Sequence, residues 1–401
     1  MNILLVSQEY PPETGWGGIG TYTFHLAHGL AERGHSIRVL SMSVNGRPSV
    51  RDQEGVRVYR ILNAHPLNLL RRFRLGSIAH IVGWSQSVAE GLACLSQQLA
   101  PDIVELPLWD AESLAYGRHP RFPFVVRAET PRTENARIGG FERRWWAVNV
   151  RAGCWLEGLA ARRATRLIAI SQAVARTVQS DYHVSPEKIR VCYLGIPMPA
   201  QESTRGKAQN VTFLFAGRLE PRKGIQNLLR AVPRVAEALP EARFVIAGKD
   251  VGMPRTRQSY RAYFEGTASE AALSATTFAG FVERAELERL FGECDVFVAP
   301  SLYESFGLVH LEAMSYAKPV VAFRTGATPE IVHDQETGLL VEPGNIDELA
   351  GALIRLGKDR MLREQMGRKG AEVAQNDFSV GAMVDRTLEV YDEAIRVRRS
   401  K

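Results

Sequence analysis

Residues 300–313 read PSLYESFGLVHLEA and place two glutamates, Glu304 and Glu312, eight positions apart. On one continuous helix eight positions turn through about 800°, which leaves the carboxylates on different faces. The spacing works differently if Glu304 lies on a loop and a helix begins near Phe306 and Gly307. Glu312 then falls in the second turn, and the amides near Gly307 have no partner inside the helix. Two carboxylates flanking such an amide nest suit a sugar nucleotide. One accepts hydrogen bonds from sugar hydroxyls, the other from ribose hydroxyls, and the amides take phosphate. A surface loop and an ordinary N-terminal helix acid explain either glutamate alone, but not the set.

Two further stretches carry matching chemistry. Gly217-Arg218-Leu219-Glu220-Pro221-Arg222-Lys223-Gly224 follows an apolar run and precedes a helical pattern. Arg218 and Lys223 at such a point can neutralise a departing diphosphate without a metal; the plain alternative is a pair of solvated loop cations. Near the N-terminus, Gly15, Gly17, Gly18 and Gly20 follow the first apolar run. Glycines there let the backbone approach a ligand, and the next helix points its amide end at it. The spacing is not the dinucleotide GxGxxG, and a flexible turn is the simpler reading of this loop taken alone.

The elements that must position these residues alternate. Ile3–Ser7, Ile37–Ser41, Ile103–Leu106, Phe124–Arg127, Leu167–Ile170 and Arg190–Tyr193 read as strands, with helices over Gly20–Arg33, Ser77–Leu99 and Ser171–Asp181. The polar, proline-rich Ile196–Asn210 reads as a linker. The alternation then restarts with strands at Val211–Ala216, Arg243–Ala247, Thr276–Phe278, Val296–Ala299, Val320–Ala322 and Gly338–Val341. Helices follow at Asn227–Ala238, Ala285–Phe291, after Gly307, and at Ile346–Leu356. The pattern predicts an α/β chain of two Rossmann-like domains facing each other across a donor-binding cleft, with ligands beyond the carboxyl ends of parallel strands. The domains expected are 1–195 and 211–377, joined by a linker at 196–210. A final amphipathic helix follows within 378–401 and needs a surface to pack on.

At this point the chain resembles the family 4 retaining glycosyltransferases of the GT-B fold (glycosyl transferases group 1). The resemblance runs from Met1 to about Phe378. It rests on Gly17-Gly18, Gly217-Arg218 with Lys223-Gly224, Ala279-Gly280-Phe281-Val282, and above all ESFGLVHLEAMSYAKPVVA from Glu304. It implies that Arg218 and Lys223 hold the donor diphosphate and that Glu304 binds donor sugar hydroxyls. Ser305, Phe306, Gly307 and Leu308 would offer backbone amides, and Glu312 would bind the ribose. Phe281 and Val282 would meet the base, Gly17 and Gly18 would approach the phosphates, and the last helix would cross back onto the first domain. Cations and amides would thus converge on one pyrophosphate. The donor is a nucleotide-diphosphate sugar, with uridine the commoner base among relatives and guanosine and adenosine also occurring. Attack by the acceptor is expected from the front face, with no metal and no other cofactor.

The sequence departs from the family at VVRAETP (residues 125–131), where many relatives carry His at the position of Glu129. A glutamate there accepts a hydrogen bond, acts as a base, or reflects a different sugar; it donates only when protonated. Ala317 replaces a usual glycine. The acceptor (glycan, lipid-linked or small molecule) belongs against the first domain, where Trp109, Glu112 and Arg127 are candidate contacts. Trp109 offers a platform for a sugar, with a core or lid role as its alternative. Basic-aromatic clusters at residues 69–74 and 143–146 suit anionic lipid or a phosphorylated carrier; arginines snorkelling on an ordinary surface explain them equally well.

The 401 residues are 45% hydrophobic and 23% charged, the balance of a soluble protein larger than one core. The net charge of +6 is uneven: residues 1–200 carry 23 Lys/Arg against 16 Asp/Glu, residues 201–401 carry 27 against 28. The first run stops at Ser7 without a basic leader, so it reads as a strand and not a signal peptide. No apolar run is long enough to span a membrane. Cys94, Cys154, Cys192 and Cys294 lack metal-ligand spacing and read as reduced, mostly buried thiols of a cytoplasmic protein, with peripheral contact at the cytoplasmic membrane face an open alternative. Nucleic acid is not an expected partner, because no recognition motif accompanies the dispersed basic residues. The rival classes are a nucleotide-sugar epimerase, which needs no acceptor, and a non-catalytic sugar-nucleotide-binding protein.

Overall fold

Short runs of valine, isoleucine, leucine and phenylalanine with no polar alternation suit strands covered on both faces, and parallel sheets require that covering. The computed structural model describes residues 1–14, 17–65, 75–98, 100–139, 144–199, 210–254 and 256–399. It divides into two compact units, Met1–Pro197 with Val380–Lys401, and Met198–Ser379. Of the expected linker, residues 200–209 lie outside the described residues, as do Gly15, residues 69–74 and Arg143.

The first unit carries β1 (Asn2–Ser7), β2 (Ser36–Met42), β3 (Ser49–Gln53), β4 (Val56–Ile61), β5 (Ile103–Pro107), β6 (Phe124–Ala128), β7 (Arg166–Ala169) and β8 (Ile189–Val191). They form one sheet in the order β3-β4-β2-β1-β5-β6-β7-β8, parallel throughout except for the β3–β4 hairpin. Its helices are α1 (Gly18–Glu32), α2 (Gly76–Gln98), α3 (Arg132–Gly139), α4 (Arg144–Arg163) and α5 (Gln172–Tyr182). The hairpin is absent from the sequence expectation because β3 is polar and largely exposed. Its turn, Glu54-Gly55, has positive φ at both residues, at 45° and 85°, as a tight two-residue connection demands.

The second unit carries β9 (Thr212–Ala216), β10 (Arg243–Ala247), β11 (Thr276–Gly280), β12 (Val296–Ala299), β13 (Val320–Phe323) and β14 (Gly338–Val341). All are parallel, in the order β11-β10-β9-β12-β13-β14. Around them lie α6 (Ile225–Ala238), α7 (Tyr260–Thr267), α8 (Glu270–Ala275), α9 (Arg284–Glu293), α10 (Leu308–Ser315), α11 (Thr328–Ile331), α12 (Ile346–Lys358) and α13 (Arg360–Asp377). Helix α6 shows why: Ile225, Leu228, Leu229, Val232 and Val235 recur every three or four residues and are all buried, one apolar stripe against the sheet.

The last helix, α14 (Val380–Arg399), belongs to the first unit. Met383, Val384, Thr387, Val390, Tyr391 and Ala394 form its buried stripe, which packs against α1. Among the described residues no helix is long and apolar enough to cross a membrane. None of the four cysteines is in a disulfide, but only Cys192 and Cys294 are buried; Cys94 is exposed and Cys154 half-buried.

Candidate active site

The parallel strands of each sheet reverse their order at a switch point, between β1 and β5 in the first and between β9 and β12 in the second. At such a switch point the loops leaving neighbouring strands diverge to opposite faces and open a crevice. The glycine loop follows β1, and Trp109 follows β5. In the second unit, Gly217–Gly224 follows β9 and Glu304 follows β12.

In that second crevice the sequence-predicted Lys223 and Glu304 meet. The Lys223 Nζ donates to Glu304 Oε1 at 2.6 Å, and Arg222 Nη1 stands 3.9 Å from Oε2. On its other side Arg222 reaches Glu220 Oε1 at 3.3 Å, and Arg218 Nη2 donates to that same oxygen at 3.2 Å. The charges therefore alternate from Arg218, whose side chain is 60% exposed, inward to Glu304, which is 5% exposed. Burial alone would raise the Glu304 carboxyl, but Lys223, foremost among neighbours that include His310 and Arg222, works with them to hold it at about 2. The carboxylate is thus an anionic hydrogen-bond acceptor at any physiological pH.

Two glycines make this packing feasible. Gly224 has φ 70°, and a Cβ there would stand 1.6 Å from the Pro300 carbonyl oxygen. Gly326 has φ 51°, and its Cβ would stand 2.1 Å from the Glu304 carbonyl oxygen. That oxygen accepts the Ala327 amide at 2.8 Å, so the loop bearing Glu304 is clamped from both flanks.

Helix α10 begins at Leu308 with Gly307 as its N-cap at φ 105°. Ser305 is half-buried; Phe306 is buried, with its ring 6.0 Å from that of Phe378. Glu312 sits in the second turn and pairs with Arg284, a partner that sequence reasoning missed although it follows closely on Phe281-Val282. Burial raises the Glu312 carboxyl, with Arg284 opposing. Phe281 is 71% exposed beyond the end of β11, and Val282 is half-buried. His310 is fully buried, and burial lowers its imidazole to about 4, so it is neutral.

In the first unit Gly17 caps α1, and Gly18 is its first residue. Glu129 follows β6, buried, and accepts from the Tyr22 hydroxyl at 2.6 Å on Oε1. Burial raises its carboxyl to about 7, against the pull of that hydrogen bond. Two of the three candidate acceptor contacts lie in the interior. Arg127, 0% exposed, donates to Glu105 at 2.7 and 3.0 Å and to Thr387 of α14 at 3.0 Å. Glu112 is buried and accepts the Gln8 amide at 3.3 Å. Both side chains are thus engaged inside this unit, Arg127 by Glu105 and Thr387 and Glu112 by the Gln8 amide. Trp109 alone of the three presents a ring, at 39% exposure. Among the described residues no three His, Cys, Asp or Glu side chains group as metal ligands.

The model of the family described as Glycosyl transferases group 1 matches residues 200–373, and that of Glycosyltransferase Family 4 matches residues 16–198. The MMP alpha-(1->4)-mannosyltransferase of Mycolicibacterium hassiacum is 30% identical over 430 residues, with 98% of each chain covered. The chain belongs to glycosyltransferase family 4. This glycosyltransferase also shares its fold with solved GT-B structures. Sucrose-phosphate synthase from Thermosynechococcus elongatus superposes with a TM-score of 0.78 at 22% identity, covering 98% of this chain and 99% of the other. An Anabaena protein in complex with UDP and glucose gives 0.72 at 21%, again over 98% and 99%. Nothing in these matches supports an epimerase. For the glycosyltransferase, the elements thus agree with the GT-B expectation, and the motif bearing Glu304 and Glu312 begins its helix where the eight-residue spacing required.

Proposed function

We propose that this glycosyltransferase moves a sugar from a nucleoside-diphosphate sugar, with uridine as base, to a hydroxyl of a glycan, lipid-linked or small-molecule acceptor, with retention of configuration and without a metal. The observation that carries the donor half is the Lys223–Glu304 pair at the β9/β12 switch point. An ionised carboxylate there accepts hydrogen bonds from sugar hydroxyls. The neighbouring cations and the amide end of α10 suit the phosphates. The hard step is the charge that grows on the departing diphosphate as the sugar becomes oxocarbenium-like. Arg218 and Lys223 stabilise that charge electrostatically. Glu312 is assigned to the ribose, Phe281 and Val282 to the base, Gly17 and Gly18 to close approach of phosphate, and Glu129 to the sugar. The solved Anabaena relative's complex with UDP and glucose supports uridine.

The test is a panel of nucleotide sugars incubated with the intact chain, with and without candidate acceptors, in the presence of EDTA. Acceptor-dependent release of nucleotide is expected, with the product's anomeric configuration by NMR equal to that of the donor. A new sugar nucleotide formed without acceptor, or turnover abolished by EDTA and restored by a divalent ion, overturns the corresponding part of the reading.

A further inference from the structure

The first unit holds a cavity that the donor chemistry leaves unused. It measures about 150 Å³ and is lined by Trp109, Arg132, Asn135, Asn149, Val150 and Glu157, between the turn after β5 and helices α3 and α4. The turn that delivers Trp109 is strained. Asp110 and Ala111, neither a glycine, follow it with φ of 52° and 49°. Consecutive left-handed residues persist only where surroundings over-determine them, and such strain concentrates at functional sites.

The surroundings here are an ion network. Arg132 Nη2 pairs with Asp110 Oδ1, while His80 Nε2 lies 3.5 Å from Asp110 Oδ2. The Arg132 Nε reaches Glu157 Oε1 at 3.2 Å, and the Arg132 amide donates to Oε2 at 2.9 Å. The Tyr182 hydroxyl donates to that Oε2 at 2.7 Å. One guanidinium therefore answers two carboxylates. Burial raises the Glu157 carboxyl to about 7, so raising the pH adds negative charge to the cavity.

Size and lining select the occupant. A cavity of about 150 Å³ holds one six-membered ring. Its surface is chiefly apolar, with the Trp109 ring and Val150 joined by the side-chain amides of Asn135 and Asn149. That combination matches a pyranose, which offers an apolar C–H face to an aromatic ring and hydroxyls to amides. A phosphate would find the nearest cation already committed to carboxylates, and repulsion from them would oppose it.

We propose that this cavity is the acceptor subsite of the enzyme and that it takes a neutral hexopyranose in preference to a phosphorylated or otherwise anionic one. The inference rests on the transfer reading above, and its test separates the two. With UDP present, the intact chain is titrated with methyl α-glucopyranoside, maltose and glucose 6-phosphate by saturation-transfer NMR, beside Trp109→Ala, Trp109→Phe and Asn135→Ala variants. UDP affinity is measured independently by calorimetry. The neutral sugars should bind the unaltered chain and glucose 6-phosphate should bind more weakly. Trp109→Ala should weaken sugar binding about tenfold, with Trp109→Phe recovering most of it, and UDP affinity should not change. Sugar binding unchanged in Trp109→Ala, a preference for the phosphate, or no sugar bound by a chain that does bind UDP overturns the subsite. A chain that binds no nucleotide overturns the donor reading, and the subsite with it.

Discussion

A buried carboxyl ordinarily keeps its proton, yet Glu304 is held at about 2 because Lys223, 2.6 Å from Oε1, acts with His310 and Arg222. Its folded value lies below the ordinary one. The stabilisation it gives is therefore present above the usual carboxyl range and lost only as pH falls through about 2. Glu304→Gln preserves size but removes the charge, and we expect transfer to fall about a hundredfold or more while circular dichroism stays unchanged. Near-normal turnover in a folded variant would refute the assignment. Glu129 and Glu157 present the opposite sign, both raised by burial to about 7. Their stabilisation is complete below the ordinary carboxyl value and is lost as pH rises from there through about 7. Thermal midpoints should therefore fall between pH 5 and 8, and Glu129→Gln and Glu157→Gln should each flatten that slope. A profile unaltered by both substitutions would show that neither carboxyl titrates there. At this scale the sequence was legible where chemistry is local. Glu304 and Glu312 share one short stretch, and Lys223 stands out in its own loop, whereas the pairing of Lys223 with Glu304 spans 81 positions and that of Tyr22 with Glu129 spans 107. Arg127 misled for a related reason: an arginine at a strand end looks ligand-facing until Glu105 on the neighbouring strand is seen to take it.

Elements were legible in proportion to their burial. The β12 and β14 runs stand out because every residue in them is buried, so the apolar stretch is uninterrupted. Strand β3 is mostly exposed, and the buried face of α13 is made of Met366, Gly367, Gly370, Val373 and Ala374, so two of its five positions are glycines and the apolar signal in the sequence is weak. The loops between elements can be tested through their glycines. A methyl group at Gly326 would collide with the Glu304 backbone, while at Gly18 it would meet nothing within 4 Å. Gly326→Ala should therefore lower the melting temperature and transfer together, because the strained turn cannot accept a side chain. Gly18→Ala should leave melting unchanged and raise the donor KM, because only a bound phosphate would feel the methyl. An unchanged donor KM in Gly18→Ala would remove that glycine from the donor site.

Over the whole chain, α14 sets the strongest constraint, since it is reached only after the second unit yet completes the first. Its Tyr391 hydroxyl donates to Glu105 Oε2 at 2.8 Å, and Thr387 accepts from Arg127. Glu393 pairs with Arg166 and Arg190 on β7 and β8. The helix thus covers a buried ion pair that could not stay dry without it, and a buried charge pair tolerates the loss of one partner badly. Tyr391→Phe removes a single hydrogen bond and should cost about 1 kcal/mol. Arg127→Met strands the Glu105 charge and should cost about 3–5 kcal/mol. Ending the chain at Ser379 should do more, because it exposes the apolar stripe of α1 as well as the pair. Hydrogen exchange distinguishes this from general destabilisation: protection should be lost in α1, β5 and β6 while β9 to β14 keep theirs. Equal loss in both units would mean that α14 supports the second as much as the first, contrary to the contacts it makes.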